Sequence, residues 1–342
     1  MKERRGIGVV GASGLVGQEL VSILIDRGMP AQSLALFARR RSTIAYRDAV
    51  FEVEPLDVEV LSRCGLVFLV ATAELARDLV PLLLAAGAVT VDNSSAYRMD
   101  NSVPLVIPEV NPDAASGLLL ANPNCSTILL LMVVAPLHRA FGCRHVAVST
   151  YQAVSGAGRE AVERLRNETT QYLATPAAAY DNGTEGAMAF NVWSHESPID
   201  IETGMNAEEA KIVAETRKIL DPGLQVSATC IRVPVERAHG EAVTVEFETP
   251  LAEAHVRRVI EQAPGVRVVD DRNRGHAPTA RLATGGDEVL VGRIRPDHAS
   301  LDSDGKATRF HFWLTGDQLR KGAALNAVQI AELVGLTQAQ TD

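Results

Sequence analysis

The sequence predicts an α/β protein in which a Rossmann-type doubly wound parallel sheet is joined to a second, mixed α+β domain. Within the first 120 residues, short apolar strands alternate with helical segments, which is the rhythm of a parallel sheet. A glycine-rich turn follows the first strand. After about residue 125 the strands follow one another with few helices between them, as in a mixed sheet. The 342 residues are enough for about two domains.

The hydrophobic pattern places the elements of both domains. In the first domain we expect strands at 7–10, 34–37, 66–70 and 88–91, with helices at 15–26 and 73–86. The second is expected to open with an apolar helix at 125–140, a strand ending at Gln152 and a polar stretch at 180–204. Its further, mostly antiparallel strands are expected at 225–235, 242–247, 266–269, 288–295 and 309–315, with helices at 208–220 and 252–262. A last amphipathic helix is expected at 319–334, with Gly335 as its stop.

Composition excludes several classes of function. With a net charge of −9, the chain lacks the basic surface that nucleic acid requires. No apolar run approaches the roughly 20 residues that cross a bilayer, and the first residues carry no signal-peptide pattern, so we expect a cytoplasmic protein. Cys64, Cys125, Cys143 and Cys230 are widely spaced, from which we expect free thiols and no metal site. The remaining expectation is a small-molecule site.

A glycine-rich turn between the first strand and the first helix is the candidate cofactor site. The turn reads Gly11-Ala12-Ser13-Gly14-Leu15-Val16-Gly17, and glycine permits a backbone close enough to bind a pyrophosphate at a helix N-terminus. The spacing is G-x-x-G-x-x-G and not the usual G-x-G-x-x-G, so an ordinary glycine turn is the alternative. The residues predicted to contact a dinucleotide here are Gly11, Ser13, Gly14, Leu15 and Val16.

The residues after the second strand favour NADP over NAD. An NAD site usually has an acidic residue here that binds the ribose, whereas this chain has Ala38-Arg39-Arg40-Arg41-Ser42. Guanidinium groups bind a 2′-phosphate through paired hydrogen bonds, so Arg39 and Ser42 are predicted NADP ligands. The alternative is a solvated basic loop.

Cys125 is the candidate nucleophile. It precedes a long apolar run that begins at Ile128, so a loop would deliver it to the first turn of a buried helix. The amides and the dipole at a helix N-terminus stabilise a thiolate and lower the cysteine pKa from its usual value of about 8.5. The other three cysteines are interpreted as inert core residues.

Ordered motifs along the chain resemble those of bacterial aspartate-β-semialdehyde dehydrogenases. Two of them match the family's active-site motifs, Asn122 to Thr127 and Thr150 to Gly158. The other matching segments lie at 91–98, 106–111, 208–211, 232–235 with His239, 291–295 and 319–329.

The resemblance implies a fold, a reaction and an assembly. The NADP-binding Rossmann-type domain would comprise residues 1–124 with 319–342, and the catalytic and dimerisation domain residues 125–318. The implied reaction is the reversible NADPH-dependent reduction of L-aspartyl-4-phosphate to L-aspartate-4-semialdehyde and inorganic phosphate, which feeds lysine, threonine and methionine synthesis. The implied assembly is a homodimer, with a tetramer as the alternative.

Site roles also follow from the resemblance. Cys125 would attack the acyl phosphate and form a thioester, His239 would act as acid/base, and Gln152 would orient the substrate or the sulfur. The implied substrate ligands are Arg232 for the α-carboxylate, Glu208 for the ammonium, and Lys211, Arg98 and Asn124 for the phosphate. The further implied cofactor contacts are Ser155, Gly156 and Asn326.

Some of these residues have plainer interpretations. Without the resemblance, Glu208 and Lys211 would be a surface ion pair three residues apart on a helix. Glu209 is interpreted as completing a capping box with Asn206. Gly240 stands where the family commonly has serine after the histidine, so a hydrogen bond to the imidazole would be lost. The other segments that depart from the family pattern are 71–74, 193–198 and 316–318.

Two rival functions stay open. One is a related reductase acting on another acyl phosphate, such as N-acetyl-γ-glutamyl phosphate or a specialised metabolite, although Glu208 favours a substrate with a free ammonium. The other is a catalytically silent paralogue that binds a nucleotide. Such a paralogue is expected to lose the thiol or the imidazole, and this chain has both Cys125 and His239.

Overall fold

A computed structural model describes residues 6–175 and 187–335. The chain divides into two compact units: Met1–Ile128, Arg217–Asp221 and Leu319–Asp342 form the first, and Leu129–Thr216 and Pro222–Gln318 form the second. The first five residues and the start of the polar stretch expected at 180–204 lie outside the described residues. The domain boundaries implied by the resemblance stay predictions. In the described part of the chain, no helix has both the length and the apolar character needed to cross a membrane.

The first unit contains a doubly wound, mostly parallel sheet. Its strands are β1 (Ile7–Val10), β2 (Leu34–Ala38), β3 (Ser42–Tyr46), β4 (Ala49–Pro55), β5 (Leu66–Leu69), β6 (Val89–Asp92) and β7 (Leu119–Ala121), and its helices include α1 (Leu15–Asp26), α2 (Val58–Leu61) and α3 (Ala73–Ala86). The strand order is β3-β4-β2-β1-β5-β6-β7, and only the β3–β4 pair is antiparallel. β1 lies between β2 and β5, so the chain first builds the sheet on one side of β1 and then crosses to the other side; doubly wound sheets bind ligands at such a switch point. The predicted Rossmann-type fold is confirmed.

The sequence pattern misses the β3–β4 hairpin and the short strand β7. In the hairpin only Ile44, Phe51 and Val53 are buried, and the residues between them are polar or exposed. Such a half-solvated edge hairpin has too few apolar residues to stand out against a loop.

The second unit contains a mixed sheet, as predicted. Its strands are β8 (Cys143–Gln152), β9 (Trp193–Ser194), β10 (Gln225–Arg232), β11 (His239–Leu251), β12 (Val266–Val268), β13 (Val289–Pro296) and β14 (Ala307–Gly316). The strand order is β12-β13-β14-β11-β8-β10-β9, with β8–β10 and β12–β13 parallel and the other pairs antiparallel. Among the described residues, the remaining α-helices are α4 (Cys125–Phe141), α5 (Arg159–Ala174), α6 (Ala207–Ile219), α7 (Glu253–Glu261), α8 (Ala280–Ala283) and α9 (Leu325–Leu333).

The C-terminal segment corrects one prediction. In place of one amphipathic helix over 319–334, a wide π-type turn at Arg320–Ala324 precedes α9. Six of the nine residues of α9 are buried, so the helix lies inside the first unit and has no broad solvated face. Gly335 ends it as predicted, with a positive φ of 75° and a hydrogen bond from its N–H to the Glu332 carbonyl.

Candidate active site

In the glycine turn after β1, glycines lie too close to neighbouring backbone atoms for any side chain to fit. Gly11 has φ +86°, and a Cβ there would lie 1.9 Å from the carbonyl oxygen of Val70. A Cβ at Gly17 would lie 2.2 Å from the Gly11 carbonyl oxygen. Gly14 is the N-cap of α1 and offers no side-chain cap to the first-turn amides. Only glycine therefore fits at 11 and 17, and the start of α1 is suited to an anionic group.

The three arginines after β2 differ in whether a described carboxylate forms an ion pair with them. Arg41 donates two hydrogen bonds to Glu54, at 2.7 and 2.9 Å. Arg39 and Arg40 are exposed and form no ion pair with any described residue. The Oγ of Ser42 is buried and has no hydrogen-bond partner within the described ranges. Arg39, Arg40 and Ser42 thus retain the donors that a 2′-phosphate needs.

Cys125 is the first residue of the 17-residue helix α4. Asn124 caps this helix, because its Oδ1 accepts hydrogen bonds from the N–H groups of Ser126 at 3.0 Å and Thr127 at 3.3 Å. Cys125 is partly exposed, whereas the other three cysteines are buried. Its position at the positive end of a long helix favours the thiolate.

Burial makes the other thiols poor nucleophiles. It raises the pKa of Cys64, and it raises the pKa of both Cys143 and Cys230 to about 12. The predicted contrast between Cys125 and three inert core thiols therefore has a physical basis.

A buried polar network supports the loop before Cys125. Lys321 is 1% exposed, and its Nζ donates to Glu109, to Asn326 Oδ1 at 2.9 Å and to Gln329 Oε1 at 2.8 Å. Asn326 in turn donates to Asn122 Oδ1 at 2.6 Å and to the Val106 carbonyl at 3.0 Å. Asn326, an implied cofactor contact, is fully buried here and holds Asn122 in place.

Hydrogen bonds to its backbone carbonyls also hold the loop that carries Arg98 in place. Arg98 donates from Nη2 to the Asn93 carbonyl at 2.8 Å. Lys218 donates from Nζ to the carbonyl oxygens of Arg98, Asp100 and Val103, at 2.6, 2.7 and 2.9 Å. Lys218 is therefore an organising residue that the sequence analysis did not single out.

His239, in the second unit, begins β11 and is fully buried. The backbone N–H of Ala153 donates to its Nδ1 at 3.0 Å, so the neutral ring carries its proton at Nε2. Burial and the positive charge of Arg232 lower the pKa of His239 to about 3. The ring is therefore neutral across the physiological range.

Neighbouring segments hold His239 in place. Gln318 accepts a hydrogen bond from the Ala238 N–H at 2.8 Å and donates to the Ser155 hydroxyl. A Cβ added at Gly156 would lie 3.5 Å from His239 Nε2 and 3.3 Å from Arg232 Nη1. A side chain at 156 would therefore lie against the Nε2 edge of the imidazole and close to the Arg232 guanidinium.

Gln152, Glu208 and Lys211 are joined in the second unit. Glu208 is 5% exposed and accepts from Gln152 Nε2 at 3.4 Å and from Lys211 Nζ at 3.2 Å. The predicted capping box is confirmed, since Asn206 Oδ1 accepts from the Glu209 N–H and Glu209 accepts from the Asn206 N–H, each at 2.9 Å. The ion pair of Glu208 and Lys211, three residues apart on α6, is therefore present as the plainer interpretation expects, but its carboxylate is buried and only Lys211 is partly exposed.

Arg232 ends β10 and is 2% exposed. It forms a two-bond ion pair with Glu196 and contacts His195 Nε2 at 2.8 Å. Neither His195 nor Glu196 was assigned a role from the sequence. The signal that could have found them is the departure of segment 193–198 from the family pattern.

Close packing against Trp313 accounts for the glycine at position 240. A Cβ at this position would lie 2.4 Å from the indole of Trp313, on the neighbouring strand β14. We expect Gly240→Ser to lower the free energy of unfolding by about 1–3 kcal/mol, because the added side chain would overlap the Trp313 indole. Urea denaturation measures this loss, and in a Trp313→Leu background the same Gly240→Ser substitution should cost much less stability. An equal cost of Gly240→Ser in the wild-type and Trp313→Leu backgrounds would contradict the clash.

Comparison with known proteins places the chain in a family. Residues 6–118 match the semialdehyde dehydrogenase NAD binding domain, and residues 134–321 match the semialdehyde dehydrogenase dimerisation domain. An aspartate-semialdehyde dehydrogenase of Synechocystis sp. is 41% identical over 96% of each chain, and that of Bacillus subtilis is 37% identical over 95% of this chain and 96% of its own.

Solved structures agree. The crystal structure of aspartate semialdehyde dehydrogenase II from Vibrio cholerae is 36% identical and superimposes with a TM-score of 0.87, covering 97% of this chain and 98% of its own. A second structure of that enzyme, complexed with ASA, is 35% identical with the same TM-score and coverage. Full-length similarity in sequence and in structure shows that this chain belongs to the aspartate-semialdehyde dehydrogenase family.

Proposed function

We propose that this chain catalyses the reversible, NADP-dependent reductive dephosphorylation of L-aspartyl-4-phosphate to L-aspartate-4-semialdehyde through a thioester on Cys125. The observation that carries the proposal is the position of Cys125. A partly exposed cysteine opens a 17-residue helix capped by Asn124, while burial suppresses ionisation of Cys143 and Cys230. The ASA complex of the Vibrio cholerae relative supports the choice of substrate.

In the proposed reaction, the Cys125 thiolate attacks the acyl phosphate carbonyl. The new C–S bond forms as the C–O bond to the phosphate breaks, and inorganic phosphate leaves with the bonding electrons. NADPH, when bound, supplies the hydride that reduces the acyl group. Collapse of the resulting tetrahedral oxyanion breaks the C–S bond, which releases the aldehyde and returns the thiolate to Cys125.

His239 acts in this proposal through the proton at Nε2. The Ala153 N–H holds Nδ1 as an acceptor, so Nε2–H donates a hydrogen bond to negative charge on the sulfur or the tetrahedral oxygen. Removing a proton from the thiol would require the opposite tautomer, in which the Ala153 N–H faces another N–H. The geometry therefore favours electrostatic stabilisation by a neutral imidazole over general-base catalysis.

Substrate recognition is proposed to use the charges of the predicted residues. Arg232 would bind the α-carboxylate, and Glu208 the ammonium, with Gln152 holding the Glu208 carboxylate in place. The residues proposed for the phosphate are Arg98, Asn124 and Lys211. An N-acetylated substrate has no ammonium for the buried Glu208 carboxylate, which is why the aspartyl substrate is preferred.

The residues of the first unit fit NADP. The glycine turn allows close approach of a pyrophosphate, and Arg39, Arg40 and Ser42 offer donors that no described residue engages. We expect Arg39→Ala with Arg40→Ala to raise the KM for NADP roughly 10- to 100-fold, because charge-assisted bonds to a 2′-phosphate are lost. The KM for NAD should change little. Arg41→Ala is the matched control, since Glu54 already neutralises Arg41. Equal effects of these changes on NAD and NADP would contradict the assignment.

The wider setting remains a proposal. The matched dimerisation domain supports a homodimer, and amino-acid biosynthesis in the cytoplasm is the setting expected for this activity. Lysine, threonine and methionine are its proposed end products.

The decisive assay is phosphate-dependent reduction of NADP⁺, followed by absorbance. L-aspartate-4-semialdehyde should support turnover, and N-acetyl-L-glutamate semialdehyde should not. Preference for the acetylated aldehyde would indicate the related reductase. NADP binding without turnover of either aldehyde would indicate a silent paralogue.

A further inference from the structure

Arg232 is a buried cation whose donors are largely engaged by the protein itself. Its Nε donates to Glu196 Oε2 at 3.1 Å, and its Nη2 donates to Glu196 Oε1 at 2.6 Å. Nη2 also lies 2.8 Å from His195 Nε2, and Nη1 donates to the Ala153 carbonyl at 2.9 Å. A guanidinium has five N–H donors, so only one, on Nη1, has no acceptor among the described residues.

Glu196 occupies the face of Arg232 that a free carboxylate prefers. Two parallel bonds from Nε and Nη2 are the usual geometry for carboxylate recognition by arginine. The Arg232 side chain is 3% exposed and that of Glu196 is 43% exposed. The arginine is thus the fixed member of the pair, and the glutamate is the member that can move into solvent.

We propose that Glu196 is an internal competitor for the carboxylate-binding face of Arg232, and that it sets the affinity of the enzyme for substrates that carry a carboxylate. This inference rests on the proposed assignment of Arg232 to the α-carboxylate. A substrate carboxylate can form two bonds with Arg232 only if Glu196 or His195 gives way. The affinity measured for the substrate is then reduced by the free energy of breaking the internal pair.

The ion pair between Arg232 and Glu196 also stabilises the protein when no substrate is bound. A buried guanidinium without an anion is costly, so Glu196 stabilises the free protein. Burial alone would raise the pKa of Glu196. The hydrogen bonds and the positive charge of Arg232 lower this pKa by more than burial raises it, so the net pKa is below the usual range. Glu196 is therefore ionised at neutral pH and competes as a carboxylate.

The test is Glu196→Gln in the full chain, assayed in the direction of NADP⁺ reduction. Glutamine keeps the size of the side chain and one acceptor but removes the charge. The KM for L-aspartate-4-semialdehyde should fall roughly three- to tenfold, as expected for loss of a partly exposed ion pair. The kcat should change less than twofold, and Tm should fall by a few degrees. With 3-aminopropanal, which lacks the carboxylate, the KM should not respond to the substitution.

The matched control is Glu236→Gln. Glu236 accepts the same two-bond pattern from Arg166, both bonds at 2.7 Å, on an exposed surface of the same unit. Its substitution should leave both KM values unchanged.

The outcomes separate the two proposals. A higher KM for Glu196→Gln would mean that Glu196 positions Arg232, and an unchanged KM would mean that the two residues form a surface ion pair only. Either result would overturn the proposal that Glu196 competes with the substrate carboxylate. A wild-type chain without phosphate-dependent activity on L-aspartate-4-semialdehyde would instead overturn the proposed function, whatever the variant does.

Discussion

Cys125→Ala should abolish turnover, with kcat falling at least roughly ten-thousandfold, because no other group on α4 can form the thioester. NADP binding, measured by fluorescence titration, should stay within twofold of wild type. Residual activity above one per cent would contradict the role of this sulfur. Cys230→Ala is the matched control, since that thiol is fully buried.

Alkylation gives an independent test of the same sulfur. At pH 7.5 a thiol whose pKa is about 12 is ionised to roughly one part in thirty thousand, which describes Cys143 and Cys230. Iodoacetamide at low ratio should therefore label Cys125 first, as peptide mass spectrometry would detect. Labelling spread evenly over the four cysteines would contradict a helix-stabilised thiolate.

His239→Asn should lower kcat roughly a hundred- to a thousandfold, the usual loss when a hydrogen-bond donor to developing negative charge is removed. The asparagine Oδ1 can still accept from the Ala153 N–H, so the backbone contact survives while Nε2–H is lost. The KM for the aldehyde should change much less than kcat. The matched control is His145→Asn, because His145 bonds to the exposed Ser227 hydroxyl on the same sheet.

The depressed pKa of His239 also links stability to pH. The folded ring has a pKa of about 3, and an unfolded histidine about 6.5. The unfolded chain therefore binds more protons below pH 6.5, so this stabilisation is complete above pH 6.5 and is lost as the pH falls toward 3. The folding equilibrium constant should fall by up to about tenfold per pH unit in that window. In His239→Asn the dependence should be shallower, as denaturation at pH 7, 6 and 5 would show.

Local signals were sufficient for much of the fold. The expected helices 15–26 and 73–86 coincide with α1 and α3, because a glycine turn opens the first and Thr72 and Gly87 cap the second. The strand ending at Gln152 was likewise placed by its apolar pattern. The pattern failed at the C-terminal segment, where the hydrogen bonds of the buried Lys321 accompany a π-type turn that periodicity does not encode.

The sequence predicted the parts of the site that are formed by residues adjacent in the chain. It did not predict the parts that depend on strand pairing between distant segments. Asn124 and Cys125 form a cap and a first helical residue, which adjacent sequence specifies. Glu196 and Arg232 are 36 residues apart and meet because β9 pairs with the end of β10. The packing of Trp313 against Gly240 depends in the same way on the pairing of β11 with β14.

The return of α9 to the first unit has a consequence for synthesis of the protein. Leu325 and Val328 lie in the same apolar cluster as Leu20 and Val21 of α1, and Asn326 bonds to Asn122. A nascent chain that has emerged only as far as residue 128 lacks these side chains, so its nucleotide-binding half has an incomplete interior. That half can complete its interior only after α9 has been synthesised, although most of it is made earlier.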